Sequence, residues 1–370
     1  MRKKKILSGF LSLALASVLS VSGCSSSDSS SKSSEEEASS AAPSQTLSPE
    51  PEETETSSLP DESTGSETDS SEPDDTEGTD ITPPMWEYVS PEGARVVFIG
   101  SLHALKDECY PLPKIITDAY DSADVLAVEC DAPEASSNYA FQLKQSEALF
   151  YSDGTTFEDH LDPEVSENLK GYLEYMGFDP TRLKNYKLWA LSTMAETMLA
   201  EKSGLDFDIG LDEHLLGLAH SDGKEIFEIE SVDLQLDMYL SISDEIYGYV
   251  LSSYSADMMD LLIQSVDNVY DCWKKGDIEA FDDTKVETFI AENEAAGITV
   301  TDHDIDIFNE YNSIFLFDRN VGMKEKAEEL MNSGKNVLYI VGASHFPGEK
   351  GLISLLEQDG YTLRQISPQQ

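Results

Sequence analysis

The chain has 370 residues and a formal net charge of −48, with 72 acidic residues against 24 basic ones. This excess of negative charge repels the phosphate backbone of nucleic acids and so excludes nucleic-acid binding as a function. The acidity alone identifies no substrate.

Residues 1–23 are expected to form a lipoprotein signal peptide. Arg2–Lys5 is a basic segment, Ile6–Val21 is an apolar segment, and Ser22-Gly23 precedes Cys24. This pattern is typical of secretory signals and too short for a lasting transmembrane helix. It resembles the bacterial lipoprotein signal, in which Cys24 becomes lipidated; ordinary signal cleavage that leaves a free cysteine is the alternative. Lipidation predicts attachment to the extracytoplasmic face of the cell membrane.

Residues 24–84 are expected to form a disordered linker, and residues 85–370 the folded domain. The linker consists mainly of Ser, Thr, Glu, Asp and Pro, with almost no large apolar side chain. Such a composition cannot bury enough surface to offset the entropy cost of ordering the chain. The linker would therefore act as an acidic tether between the membrane and the domain.

Two similar motifs lie near the two ends of the folded domain. The apolar run Val96–Ile99 is followed by Gly100-Ser101-Leu102-His103, and the run Val337–Val341 is followed by Gly342-Ala343-Ser344-His345. Short apolar runs that end at glycine are typical of strands buried on both faces. Open α/β sheets bind their ligands just past the carboxyl ends of such strands. Both histidines are therefore candidates for a site.

Further elements complete an α/β pattern. A helix follows the first strand, and Asp124–Asp131 forms a second strand, so these two strands are expected to be parallel neighbours. After a long helical region, a third strand ends at Glu230. The chain closes with a helix from Pro347 and a final strand over residues 361–366. We expect a mostly parallel sheet flanked by helices, with a large helical insertion.

Three cysteines remain after Cys24, and their spacing matches no zinc motif. They are Cys109, Cys130 and Cys272. In an exported chain they permit at most one internal disulfide. Cys109 and Cys130 follow two strand ends, so a bond between them is one of the open alternatives.

The residues at the strand ends favour a metal site. Two imidazoles, His103 and His345, together with the strand-end carboxylate Glu129, are suitable ligands for a divalent ion such as Mn²⁺, Co²⁺, Zn²⁺ or Fe²⁺. A second carboxylate, Glu230, would serve as general base, and Arg319 would bind a substrate carboxylate or stabilise an oxyanion. The sequence does not decide which carboxylate is the ligand and which is the base.

Seven motifs in order resemble the TraB/GumN family, which is related to the Tiki proteases and to pheromone-shutdown proteins. They cover nearly all of residues 95–366 and read GSLH, YPLP, ADVLAVECD, GLDEHLLGLA, EIFEIESVDLQLD, DRNVGM and YIVGASHFPGEKGLISLLEQDGYTL. The resemblance maps the family's site positions onto a set of residues in this chain: His103, Glu129, Asp212, Glu230, Arg319, Asn320 and His345. It implies metal-dependent hydrolysis of peptides.

Three functions remain open at this stage. The first is a membrane-anchored metallohydrolase that cleaves peptides. The second is a lipoprotein that binds a peptide or small molecule without cleaving it. The third treats both histidines as structural residues of the core.

Overall fold

A six-stranded mixed sheet lies at the centre of the part of the chain that the structure describes, residues 79–282, 284–295 and 297–366. The structure is a computed structural model. The sheet is ordered β4-β3-β5-β2-β1-β6. Its strands are β1 (Met85–Val89), β2 (Arg95–Ser101), β3 (Val125–Val128), β4 (Glu225–Glu228), β5 (Val337–Gly342) and β6 (Arg364–Gln365).

Four of the strands form a parallel core. β2 and β3 each pair in parallel with β5, and β4 pairs in parallel with β3. β1 and β6 extend the sheet in antiparallel pairings. The predicted α/β fold with a mostly parallel sheet is therefore confirmed. The carboxyl ends of β2, β3, β4 and β5 meet at one edge, which we call the site edge.

The prediction that β2 and β3 are neighbours is wrong. β5 lies between them, with Val337 opposite both Val96 and Val125. All six residues of β5 are buried, whereas both ends of β4 are exposed. β5 is apolar enough to be enclosed on every side, so it occupies the position between β2 and β3. Its location near the end of the sequence did not indicate this position. The position of β5 affects the site, because it places the second histidine loop between the ends of β2 and β3.

Three further elements differ from the sequence-based expectations. The sequence analysis did not identify β1, the antiparallel partner of β2. The last strand is shorter than expected and comprises only Arg364–Gln365. The last helix begins at Leu352 and not at Pro347.

Helices cover both faces of the sheet. A π-helical segment, Ser313–Phe317, runs directly into α14, and Ala343–His345 forms a 3₁₀ turn after β5. The α-helices are α1 (Lys114–Ser122), α2 (Ala132–Ser136), α3 (Tyr139–Ala148), α4 (Phe157–His160), α5 (Pro163–Tyr175), α6 (Pro180–Leu183), α7 (Leu188–Lys202), α8 (Leu211–Asp222), α9 (Val232–Ser241), α10 (Asp244–Leu251), α11 (Met259–Lys274), α12 (Val286–Ala295), α13 (Asp302–Asn312), α14 (Asp318–Met331) and α15 (Leu352–Gln358).

The alternation of side chains along the strands divides the core into two. Val97 and Ile99 of β2 face the large cluster formed with the helical insertion. Val96 and Phe98 face the smaller cluster, which contains side chains of α14 and α15. Because successive residues of a strand point to opposite faces, one apolar run supplies both clusters. The unbroken apolar runs in the sequence follow from this two-sided burial.

Residues 79–84, at the end of the predicted linker, contact the folded domain. The backbone N–H of Thr82 donates to the carbonyl oxygen of Lys274 at 2.7 Å, and Ile81 is buried. The predicted signal peptide, Cys24 and residues 25–78 lie outside the described residues. Within the described ranges, no helix has the length and apolar character needed to cross a membrane.

The three cysteines of the domain are all free. The Cys109 sulfur lies 3.1 Å from the hydroxyl of Tyr270, and the Cys130 thiol donates to the side-chain oxygen of Gln235 at 3.7 Å. Cys109 and Cys130 are thus not joined by a disulfide. Burial raises the pKa of both thiols, which disfavours the reactive thiolate.

Candidate functional site

The first histidine loop, Gly100–His103, requires glycine at its start because of close packing. A Cβ atom at Gly100 would lie 3.0 Å from both the Cα atom of Ala343 and the Cγ atom of Pro84. The indole N–H of Trp273 donates to the carbonyl oxygen of Gly100 at 2.8 Å. Glycine therefore allows the two histidine loops to approach each other, and the tryptophan fixes the first loop from the helical side.

The N-terminus of α8 contacts the same loop and explains the Gly-Leu-Asp motif. The N–H of Leu211 donates to the carbonyl oxygen of Leu102 at 3.1 Å. A Cβ atom at Gly210 would lie 2.2 Å from the carbonyl oxygen of His103, so the contact excludes any larger residue. It places Asp212 beside His103, whose Nδ1 contacts the Oδ2 atom of Asp212.

The second histidine is fixed by an amide. Nδ1 of His345 lies 2.6 Å from Oδ1 of Asn320, whose Nδ2 donates to the carbonyl oxygen of Lys350 at 2.9 Å. Because the Asn320 amide is oriented by Lys350, its oxygen accepts and the Nδ1 atom of His345 carries the hydrogen. His345 is fully buried, and its pKa is well below the ordinary value because of burial and the nearby Arg319 and His103. Its Nε2 therefore presents a lone pair.

Glu129 lies between the two histidine loops. Its Oε1 atom accepts a hydrogen bond from the N–H of Gly342 at 2.8 Å and lies 3.9 Å from Nε2 of His345. Burial raises the pKa of Glu129 overall, whereas Arg319 and His103 act in the opposite direction, and His103 also contributes to the lowered pKa of His345. The position of β5 between β2 and β3 thus gathers at the site edge the three side chains that the sequence analysis proposed as metal ligands.

Arg319 joins the two strand-end glutamates. Its Nη2 donates to Oε2 of Glu129 at 2.6 Å and to Oε2 of Glu230 at 2.7 Å, while Nε donates to Oε1 of Glu230 at 2.9 Å. Burial lowers the pKa of Arg319, but Glu230 and Glu129 outweigh that effect and raise it overall. For Glu129, burial raises the pKa, and Arg319 acts in the opposite direction. The arginine thereby compensates two buried negative charges.

This arrangement differs from the expected roles of Arg319 and Glu230. We expected Arg319 to face the substrate and Glu230 to act as a base. Both oxygens of Glu230 instead accept hydrogen bonds from Arg319, and the Arg319 side chain is 10% exposed. The pair supports Glu129 from the side opposite to the Gly342 hydrogen bond.

Gln235 is a member of the site that was not predicted from the sequence. Its Nε2 donates to Oε2 of Glu129 at 3.2 Å and to Oε2 of Glu230 at 3.1 Å. A signal was present, because Gln235 is a polar residue on the face of α9 that buries Val232, Leu236 and Tyr239. A buried glutamine in an otherwise apolar stripe indicates a polar partner inside the protein.

A small cavity of about 10 Å³ adjoins the first histidine loop. This volume is about that of one water-sized probe. Burial and the neighbouring Asp212 raise the pKa of Glu213 at its wall. The side chains that line the cavity are those of Ser101, His103, Val128, Glu129, Cys130, Asp212, Glu213, Leu216 and Ile340.

The donor atoms fit a divalent ion in part. Each imidazole has its Nδ1 atom against a side-chain oxygen, the usual support for a histidine that binds metal through Nε2. Two ligands of one tetrahedral ion lie roughly 3.4 Å apart, given metal–ligand bonds of about 2.1 Å. The separation of 3.9 Å between Nε2 of His345 and Oε1 of Glu129 is somewhat larger. In the described ranges, no group of three or more His, Cys, Asp or Glu side chains is arranged to hold a metal ion.

Comparison with known proteins gives a family match. The sequence model of the TraB/PrgY/gumN family matches residues 84–365. The chain is 28% identical over 168 residues to proteins named "Uncharacterized protein YbaP" from Escherichia coli (strain K12) and Shigella flexneri. These alignments cover 45% of this chain and 60% of each relative. No solved structure matches the chain.

Proposed function

The chain belongs to the TraB/PrgY/gumN family, and from this premise and the geometry of the site edge we propose that it is a metal-dependent hydrolase of peptides. His103 and His345 bind a divalent ion through their Nε2 atoms, and Glu129 is the third ligand. Mn²⁺, Co²⁺ and Zn²⁺ all suit this set of nitrogen and oxygen donors.

The observation that carries the proposal is the setting of His345. Its Nε2 atom is buried and has no hydrogen-bond partner in the part of the chain that the structure describes, although its ring is oriented by Asn320 and lies beside a carboxylate. An unsatisfied polar atom in the interior costs about 1–3 kcal/mol, so a protein rarely keeps one without a use. An ion bound to Nε2 would remove that cost.

The protein residues have distinct tasks in this proposal. When bound, a divalent ion supplies Lewis acidity that polarises the scissile carbonyl group and activates water. Asp212 and Asn320 hold the two imidazoles in the tautomer in which Nε2 carries the lone pair. Arg319 offsets part of the desolvation of the buried Glu129, and its hydrogen bond to Oε2 holds the carboxyl group of Glu129 beside His345.

The size of the cavity favours hydrolysis over capture of a small molecule. A cavity of about 10 Å³ accommodates a water molecule, whereas sites that enclose small molecules usually measure about 300–1,000 Å³. A peptide would therefore lie across the mouth of the site. Only its reacting carbonyl group would approach the histidine loops.

The test is elemental analysis of the purified protein, followed by incubation with a peptide library. We expect about one divalent ion per wild-type chain, and loss of both the ion and peptide cleavage in the double variant His103→Ala/His345→Ala. The matched control is His303→Ala, because His303 is an exposed histidine paired with Glu245. A wild-type protein without a stoichiometric divalent ion would refute the metal site. Intact peptides with the ion bound would favour the non-catalytic binding function.

The proposal includes attachment to the cell membrane. Lipid on Cys24 would hold the domain on the extracytoplasmic face, with the acidic linker as a spacer. Replacement of Cys24 by Ala should release the protein from the membrane fraction into a soluble exported form. A variant that remains membrane-bound would contradict this part of the proposal.

A further inference from the structure

Two polar atoms of residues that line the cavity have no hydrogen-bond partner among the described residues. The Oγ atom of Ser101 and the Oδ1 atom of Asp212 are both buried, and neither forms a hydrogen bond in the described part of the chain. Both residues line the cavity of about 10 Å³. Ser101 has no exposed surface at all. The two atoms are thus a hydroxyl group and a carboxylate oxygen with unused hydrogen-bonding capacity at one small cavity.

The other carboxylates at the site edge are already satisfied. Oε1 of Glu129 accepts from Gly342, and Oε2 accepts from Arg319 and Gln235. Both oxygens of Glu230 accept from Arg319. The second oxygen of Asp212 contacts His103. Oδ1 of Asp212 is therefore a buried carboxylate oxygen that can accept a hydrogen bond from a molecule in the cavity.

A single water molecule in this cavity would satisfy both atoms if it lay between them. Buried waters typically occupy polar cavities of at least about 10–15 Å³ and make about three hydrogen bonds to otherwise unsatisfied groups. A water here can donate to Oδ1 of Asp212 and exchange a hydrogen bond with Oγ of Ser101. Without a water molecule, both atoms would remain without a hydrogen bond, at the cost of the desolvation free energy of a hydroxyl group and a carboxylate oxygen.

We propose that Ser101 and Asp212 hold the water molecule that attacks the substrate. This inference rests on the proposed hydrolase function and assigns a role to the serine of the first histidine loop. In the reaction, the oxygen of this water forms a bond to the carbonyl carbon of the peptide, and the C–N bond breaks. One hydrogen of the water passes to the departing nitrogen. The products are a carboxylic acid and an amine, so atoms and charge balance.

The inference is tested with Ser101→Ala, Ser101→Thr and a matched control, Ser166→Ala. Alanine removes the hydroxyl group, whereas threonine keeps it. Ser166, on α5, is another buried serine whose hydroxyl group has no hydrogen-bond partner among the described residues, so its replacement makes the same chemical change elsewhere. For each full-length variant we would determine the crystal structure, the divalent-ion content and the kinetics of peptide cleavage.

We expect ordered water within hydrogen-bonding distance of Ser101 and Asp212 in the wild type and in Ser101→Thr, but not in Ser101→Ala. In Ser101→Ala, kcat should fall about 10-fold, the scale of one lost hydrogen bond to a reacting group, with KM and ion content unchanged. Ser166→Ala should match the wild type.

Two results would overturn the inference while leaving the hydrolase function intact. They are a dry cavity in an active wild-type protein, and a Ser101→Ala variant with wild-type kcat. An ordered water in a wild-type protein that cleaves no peptide would instead refute the hydrolase function, and with it the role of this water as nucleophile.

Discussion

The site edge and the helical insertion both contain glutamates in a low-dielectric environment, but only the site edge supplies a cation. Glu129 and Glu230 share Arg319 and the amide of Gln235. Glu196, on α7, accepts a hydrogen bond from Ser192 at 3.2 Å, and burial raises its pKa to about 8. Burial raises the pKa of Glu129 as well, but there Arg319 acts in the opposite direction, whereas at Glu196 burial is opposed only by the hydrogen bond from Ser192, and Glu196 is mostly protonated at pH 7.

The difference indicates where chemistry is possible. A charged carboxylate held by fixed donors can bind an ion or orient a reactant without reorganising. A protonated glutamic acid lacks the charge to do either, and burial also raises the pKa values of the neighbouring Tyr247, Tyr254 and Tyr311. A perturbed pKa alone would have pointed to Glu196 as a functional residue. The presence of a cation and of two imidazoles points to the site edge.

The largest expected effect is that of Arg319→Met, which removes the cation from the site edge. Two buried glutamates would then lack a compensating charge, and we expect the free energy of unfolding to fall by about 3–5 kcal/mol. Urea denaturation followed by circular dichroism measures this change. Arg182→Met is the control, because the Arg182 side chain is 86% exposed and 4.0 Å from Asp179. Arg182→Met should change the free energy of unfolding by no more than about 0.5 kcal/mol.

A double variant checks the cause of that loss. Arg319→Met/Glu230→Gln removes one of the two like charges and should recover part of the lost stability. If the double variant is no more stable than Arg319→Met, the loss comes from packing of the arginine side chain and not from uncompensated charge.

Much of the fold follows from local patterns in the sequence. The apolar runs 96–99 and 337–341 are strands because β-branched and aromatic side chains pack well on both faces of a parallel sheet. The glycines after them end the strands. The order of the strands could not be predicted from these patterns. The apolar residues of β5 indicate that the strand is buried, but they do not indicate which strands lie beside it. β1 was missed because its pairing with β2 is a long-range property.

From the residue patterns alone, the site was predictable only in its strand-end members, and the family resemblance added Asp212, Arg319 and Asn320. His103, His345 and Glu129 follow buried strands, and parallel strands bring their carboxyl ends together. The partners of these residues come from helix positions whose contacts depend on tertiary packing, such as Asn320 in the first turn of α14 and Gln235 in α9. The pairing of Arg319 with Glu230 was not expected, because sequence separation of 89 residues carries no information about contact.

A smaller effect is expected from Asn320→Leu, which tests whether the site edge is organised for an ion. Leucine has a similar size but cannot accept the hydrogen bond from Nδ1 of His345, so the imidazole loses its fixed tautomer and orientation. Changes to such supporting residues typically lower metal affinity about 10–100-fold. Isothermal titration calorimetry with Zn²⁺ or Mn²⁺ measures the metal affinity, using protein from which bound metal has been removed with a chelator.

Two variants serve as controls for Asn320→Leu. Asn320→Asp keeps an acceptor oxygen and should retain most of the affinity. Asn293→Leu makes the same change at a buried asparagine on α12 that donates to the carbonyl oxygen of Phe289, and it should leave the affinity unchanged. Equal affinities in all three variants would mean that His345 does not bind the ion.

The smallest expected effect is that of Glu196→Gln, which depends on pH. The folded-state pKa of Glu196, about 8, lies above the ordinary glutamate value of 4.5. The stability contributed by the protonated form is therefore complete below pH 4.5 and is lost as the pH rises to about 8. Glutamine stays neutral, so the variant should be more stable than the wild type by about 2 kcal/mol at pH 8–9, after allowance for partial exposure, and nearly equal at pH 4.

The measurement is urea denaturation at a series of pH values, with Glu201→Gln as the control on the same helix. Glu201 is exposed, so its replacement should leave the stability curve unchanged. A Glu196→Gln curve parallel to that of the wild type would show that Glu196 is ionised when folded. In that case the helical insertion would contain a buried charged glutamate without a cation, and the proposed difference between Glu196 and the site-edge glutamates would be wrong. A gap that widens with pH would show instead that burial keeps Glu196 protonated in the folded protein at neutral pH.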